Sequence, residues 1–141
     1  MYLDTSYILK FYLTEPESVR VRDLVHRADF IQSSLLALPE FHAGIHRKHR
    51  EGSLSFEQAL DIVHRFMGHI DEDLWNLVPV TGMLLRNTGT LIVSAPADLY
   101  IRTADAVHLA TARQQGEHEI WTNDRHMLKA AAYFGLKGCS V

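Results

Sequence analysis

The chain has 141 residues, a hydrophobic fraction of 47%, a charged fraction of 22% and a formal net charge of −3, close to the averages for a globular domain. These values exclude a disordered, collagen-like or coiled-coil chain and a generally basic nucleic-acid coat, though not a local basic patch. No apolar run approaches the roughly 18 residues of a membrane span, and the single cysteine, Cys139, can form neither an intrachain disulfide nor a cysteine-based zinc site.

No repeat, low-complexity tract or Pro/Gly/Ser linker divides the sequence, so one domain over 1–141 is expected. The N-terminus lacks the apolar core of a signal peptide; a cytoplasmic protein without membrane contact is the default.

Taken in chain order, Met1–Leu3 reads as a short strand. Ile8, Leu9, Tyr12 and Leu13 follow at helical spacing. Thr14-Glu15-Pro16-Glu17 has the pattern of a capping box, opening a second helix with Val21, Leu24, Val25 and Ala28 inward. Phe30–Ser33 reads as a strand. Leu38, Phe41 and Ile45 mark a third helix that Gly52 ends. Ser55 to Gln58 is a second capping box, and Phe56, Leu60, Val63, Met67 and Ile70 follow the helical period. Trp75–Val80 is extended, and residues 81–93 read as a helix weakened by Gly82 and Gly89. Thr103–Gln115 is an Ala-rich helix capped by Thr103. Ile120–Trp121 is a strand, Met127, Leu128 and Ala131 mark a last helix stopped at Gly135, and Cys139–Val141 closes the chain as a strand.

Strands alternating with helices imply an α/β fold with a mostly parallel sheet covered on both faces. Such sheets bind ligands outside the carboxyl ends of the strands, near the switch in strand order. Asp4 and Asp124 each follow a strand, Glu40 lies early in the third helix, and Asp105 sits in the first turn of the Ala-rich helix. Each has an ordinary structural reading: Asp4 and Asp124 suit N-caps, and acids in a first turn suit the helix dipole. Together, carboxylates on one partly desolvated rim would repel and raise one another's pKa. A hard divalent cation relieves that repulsion and leaves positions for phosphate oxygens, which points to phosphodiester hydrolysis.

Four blocks carry a resemblance to a known family. They are Tyr2-Leu3-Asp4-Thr5-Ser6; Ile31-Gln32-Ser33-Ser34 running into Leu38-Pro39-Glu40; Thr103-Ala104-Asp105-Ala106-Val107-His108-Leu109-Ala110; and Ile120-Trp121-Thr122-Asn123-Asp124. In order and spacing the chain resembles a PIN domain, and within that superfamily the VapC-type toxins of type II toxin–antitoxin pairs. The resemblance implies a three-layer α/β/α fold with a central sheet of about five strands. It implies a metal-dependent endoribonuclease using Mg2+ or Mn2+, with Asp4, Glu40, Asp105 and Asp124 catalytic. Asp4 and Asp105 would be the chief metal ligands, Asp124 a third, and Glu40 would act through water. Ser6 and Thr122 match hydroxyl positions that support the acids. The implied products are a 5′-phosphate and a 3′-hydroxyl, and the implied partners are an RNA such as a transfer or ribosomal RNA hairpin, a VapB-like antitoxin and a second copy in a homodimer. A housekeeping PIN nuclease of RNA processing and a PIN fold kept only for binding are the alternatives.

Two other classes fit less well. A phosphohydrolase with an aspartyl nucleophile needs a second acid two residues after the first, where Ser6 stands. A receiver-type signalling module needs an Asp after its third strand, where Val78-Pro79-Val80-Thr81 stands.

The most basic stretch, His46-Arg47-Lys48-His49-Arg50, reads either as a solvated helix end or as a phosphate contact. At the far end of the Glu40 helix, it is expected on the rim opposite the acids or flanking a groove in a dimer. Of His42, His46 and His49, only pairs four apart chelate comfortably on a helix, so zinc is set aside. His108 lies one turn after Asp105, and packing is favoured for it over a contact with a site carboxylate. Trp75, Trp121 and Cys139 are assigned to the core.

Overall fold

The computed structural model describes residues Met1–Val141. Five parallel strands, β1 (Tyr2–Leu3), β2 (Gln32–Ser34), β3 (Asn76–Val78), β4 (Glu119–Trp121) and β5 (Lys137–Cys139), form one sheet in the order β3-β2-β1-β4-β5. Parallel neighbours need crossover connections, and helices supply them. These are α1 (Thr5–Tyr12), α2 (Ser18–His26), α3 (Ala37–Arg50), α4 (Phe56–Asp71), α5 (Gly82–Val93), α6 (Thr103–Gln114) and α7 (Arg125–Ala131), with a 3-10 turn at Ala132–Phe134. The three-layer α/β/α expectation holds, and the sheet is wholly parallel. No helix is long and apolar enough to cross a membrane.

The two-residue strand β1 shows how the layers arise. Successive strand side chains point to opposite faces. Leu3 joins a core with Tyr7, Val21, Phe41, Ile62, Phe66 and Trp75 from the α1–α4 side. Tyr2 joins the second core with Leu84, Leu109, Ile120, Met127 and Phe134 from the α5–α7 side. The chain first builds outward from β1 through β2 to β3. It then returns across the sheet to place β4 on the free side of β1, pairing Tyr2 with Ile120 and Leu3 with Trp121. The switch in strand order therefore falls between β1 and β4.

Several local expectations need correction. Thr14 does not cap α2: the helix begins at Ser18, behind Glu17 at φ 67°, and Glu17 has no capping hydrogen bond. Its carboxylate pairs instead with Lys10 at 2.8 Å. Thr103 is the first residue of α6 rather than its cap, which is Arg102, again without a side-chain bond. The Ser55–Gln58 capping box is formed in both directions. The buried face of α4, however, is Ala59, Ile62 and Phe66, and Phe56, Leu60 and Met67 lie exposed. Two apolar stripes run along that helix, and periodicity alone does not choose between them. The last strand is Lys137–Cys139, two residues earlier than expected, and Cys139 on that edge is only partly buried. Trp75 is core at 2% exposure, whereas Trp121 is half-buried. The 81–93 helix is present as α5, capped by the Thr81 hydroxyl on the Leu84 amide.

Candidate active site

A cavity of about 580 Å³ opens at the carboxyl ends of β1 and β4, and all four expected acids, Asp4, Glu40, Asp105 and Asp124, line it. They arrive from four places: the end of β1, the first turn of α3, the first turn of α6 and the turn after β4.

Asp4 is 4% exposed and caps α1 through the Tyr7 amide at 3.0 Å. The Ser6 hydroxyl donates to both its oxygens at 2.7 and 2.9 Å, and the Thr122 hydroxyl donates to Oδ2 at 2.6 Å. The two expected supporting hydroxyls thus both reach Asp4. Burial nevertheless dominates and pushes its carboxyl above the usual range, although these donors pull the other way. No lysine or arginine forms an ion pair with it. Thr122, fully buried, also accepts the Asp124 amide at 2.9 Å, so one hydroxyl links two acids.

Asp124 caps α7, accepting from the His126 and Met127 amides at 2.8 and 3.1 Å. Partial burial works against its ionisation, but the Met127 amide, Arg102 and the His126 amide outweigh it and hold the carboxyl below the usual range. The cap reading holds for Asp4 and Asp124, and both also line the cavity. The same carboxylate starts a helix and faces the cavity.

Three further groups, none assigned a site role from the sequence, complete the arrangement. Arg102 bonds Asp105 through Nε at 2.7 Å and Nη2 at 3.2 Å, and through Nη2 also pairs with Asp124. Its signal was the three-residue spacing from Asp105, at which side chains meet on a helix. His108, 2% exposed, lies 2.8 Å from Glu40 Oε2 through Nε2, while its Nδ1 meets the Tyr2 hydroxyl at 3.0 Å. It packs, as favoured, and also holds a site carboxylate. Thr5, inside the first sequence block, donates to Glu40 and sits 3.1 Å from His108 Nε2. Burial works against ionised Glu40, but the His108 and Thr5 bonds and the nearby His108 and Arg102 charges outweigh it, leaving its carboxyl below the usual range.

One residue of the basic stretch does not lie on the rim opposite the acids. Arg47 lines the same cavity as the acids, beside Ala43 and Gly44. The reason is that α3 runs along the cavity wall instead of away from it. Seven residues from Glu40 amount to about 10 Å, two turns on the same side of the helix. Arg47 has no ion pair, whereas Lys48 is taken by Glu15.

Hard carboxylate oxygens around a buried anion that lacks a cationic partner fit Mg2+ or Mn2+ chemically. In this conformation no three of the His, Cys, Asp and Glu side chains are grouped as a cation cage. Asp105 and Asp124 are turned to Arg102, and Glu40 to His108 and Thr5.

Comparison with known proteins bears on the family and the fold. The sequence profile described as PIN domain matches residues 1–133. Ribonuclease VapC46 of Mycobacterium tuberculosis is 33% identical over 138 residues, covering 96% of this chain and 93% of that protein. Among solved structures, M. tuberculosis VapC20, described as a sarcin–ricin loop cleaving toxin, superposes with a TM-score of 0.72 at 16% identity, covering 96% of this chain and 98% of that one. VapBC2 from Rickettsia felis, bound to a DNA fragment from its promoter, superposes with a TM-score of 0.69 at 16% identity, covering 99% and 96%. The chain belongs to the PIN-domain family, among its VapC-type ribonucleases.

Proposed function

We propose that this protein is a single-domain, divalent-metal-dependent endoribonuclease and the toxin of a VapBC-like pair. The observation that carries the reading is the meeting of Asp4, Glu40, Asp105 and Asp124, distant in sequence, in one cavity at the strand-order switch. Asp4, Asp105 and Asp124 would hold Mg2+ or Mn2+. The ion, when bound, supplies Lewis acidity toward the attacking water and the phosphoryl oxygens.

The chain's own residues do the rest. Ser6, Thr122 and the Tyr7 amide fix Asp4. His108 and Thr5 hold Glu40 at the cavity wall, and its lowered pKa keeps it ionised near neutrality. An ionised Glu40 can accept a proton from water as the resulting hydroxide attacks phosphorus; the P–O3′ bond breaks and the departing oxygen takes a proton from solvent, giving a 5′-phosphate and a 3′-hydroxyl. Arg47, unpaired on the same wall, is suited to a backbone phosphate of the bound strand.

The substrate class is structured RNA. VapC20, to which the fold is similar, is described as cleaving the sarcin–ricin loop, and a hairpin of transfer or ribosomal RNA is the proposed target here. A VapB-like antitoxin as inhibitor and a homodimer as the working form belong to the same reading.

The test is cleavage of total RNA by purified protein with Mg2+ or Mn2+, with EDTA, and with Asp4→Asn as control for contaminating nuclease. Metal-dependent cutting that disappears in Asp4→Asn is expected. Cutting that persists in EDTA or in that variant sinks the proposal.

A further inference from the structure

Arg102 occupies an unusual position for a surface arginine. It is the residue before α6, and its side chain is 46% exposed. An ordinary ion pair three residues apart would end at Asp105. Here the guanidinium continues across to Asp124, on a different element 22 residues later, and binds it through the nitrogen it already offers to Asp105. Its charge also contributes to keeping Glu40 ionised. One cation therefore acts on three of the four cavity acids, and its Nη1 bonds no protein group.

A guanidinium is planar, permanently charged and shaped to bridge two carboxylates. It meets the same need that a divalent ion would meet: it offsets the mutual repulsion of acids gathered on one rim. The two occupants compete, because a carboxylate turned to the guanidinium is not turned toward a shared centre with Asp4. In this arrangement no three His, Cys, Asp or Glu side chains form a ready cation cage.

We infer that Arg102 is a built-in counter-ion of the metal-free site, which a divalent cation must displace from Asp105 and Asp124 in order to bind. Arg102 thereby sets the concentration at which the site loads, and it stabilises the unloaded fold. The inference rests on the reading of these acids as metal ligands.

The experiment measures Mn2+ binding calorimetrically on metal-free protein, comparing wild type, Arg102→Met, Arg102→Lys and Asp105→Asn. Met keeps the length without the charge; Lys keeps the charge without the two-pronged geometry. Arg102→Met should bind Mn2+ about 5- to 150-fold more tightly, the usual range for coupled sites, and Arg102→Lys should fall between it and wild type. In EDTA, Arg102→Met should melt below wild type, and saturating Mn2+ should close the gap. In the wild type itself, the arginine Nε–H resonance that Arg102→Lys removes should shift as Mg2+ is added.

Unchanged or weaker Mn2+ affinity in folded Arg102→Met overturns the inference. So does an Arg102 resonance indifferent to Mg2+. If wild type binds Mn2+ and Asp105→Asn abolishes binding while Arg102→Met is unchanged, only the role of Arg102 is lost. If neither wild type nor Arg102→Met binds Mn2+, the metal-site reading fails with it.

Discussion

His108 Nε2, on α6, lies 2.8 Å from Glu40 Oε2, on α3, and these helices approach from opposite faces of the sheet. The contact runs past the end of β1, where Thr5 touches both partners. Because an ionised carboxylate can only accept, Nε2 donates to Glu40, while the Tyr2 hydroxyl holds the ring's other nitrogen, Nδ1. A residue with no place in the metal site thus fixes the direction of the group that would take the proton.

His108→Leu removes that direction while keeping a buried apolar side chain. We expect kcat to fall about 10- to 100-fold, the scale of misplaced reacting groups, with Mn2+ affinity unchanged because Asp4, Asp105 and Asp124 keep their partners. Losing the His108 bond to the buried Tyr2 hydroxyl should cost about 0.5–1.5 kcal/mol of stability. Steady-state kinetics and calorimetry on the folded variant separate these effects. A kcat equal to wild type would refute the positioning role.

Asp4→Asn should stabilise the metal-free fold at neutral pH. Burial raises the folded pKa of Asp4 above its unfolded value, so the folded state binds more protons between the two values. Stability then falls as pH rises through that window, which begins near the unfolded value of about 4. Asparagine escapes this penalty, and the Ser6 and Thr122 hydroxyls can rotate to accept its amide. Glu40 and Asp124 have lowered values; the stability they contribute is present above their unfolded values and lost as pH falls, equally in both proteins. Melting in EDTA should therefore show Asp4→Asn ahead of wild type at pH 7, with the lead shrinking toward pH 4. A lead that is constant with pH, or a deficit at pH 7, contradicts the account.

Arg47→Ala should weaken RNA binding about equally for all sequences and lower the slope of log affinity against log salt by about one unit, the signature of one lost phosphate contact. Filter binding of a cleavage-dead Asp105→Asn background across a salt series reads this out. An unchanged slope would remove Arg47 from the RNA path.

Gly138→Ala tests how α7 is seated. A Cβ at position 138 would lie 3.0 Å from the Leu128 carbonyl oxygen and 3.1 Å from its Cα, so α7 would have to give by a few tenths of an ångström. We expect a loss of about 1–3 kcal/mol, the scale of overpacking, together with weaker Mn2+ binding as α7 and its cap Asp124 shift. Denaturant titration measures the first and calorimetry the second; a variant as stable as wild type excludes close packing as the reason for glycine there.

The parts legible in the sequence were those written in local chemistry. Asp4, Glu40, Asp105 and Asp124 follow strands or open helices, and the parallel topology carries all four to one rim. What stayed hidden depended on distance in space. Arg102 looks like a lone surface arginine until β4 brings Asp124 beside it. His108 could not be joined to Glu40 without knowing that α3 and α6 meet at the end of β1. Arg47 was misplaced because its side of the helix depends on how α3 lies against the sheet. On α4, Leu60 and Phe66 are equally apolar, and only tertiary packing chose Phe66 for the interior.

The pairing of Tyr2 with Ile120 puts the central seam of the sheet between the first and the last fifth of the chain. During synthesis the N-terminal part can gather β1, β2, β3 and helices α1–α4, but β1 keeps one edge bare until residues near 120 have emerged. Such distant pairings form late. Asp4 lacks Thr122, Asp105 lacks its neighbour across the cavity, and Arg102 has only half its partners until then. On the proposed reading of the cavity, a ribosome making this protein carries an inert chain, and the substrate of the finished site is out of reach of the nascent one.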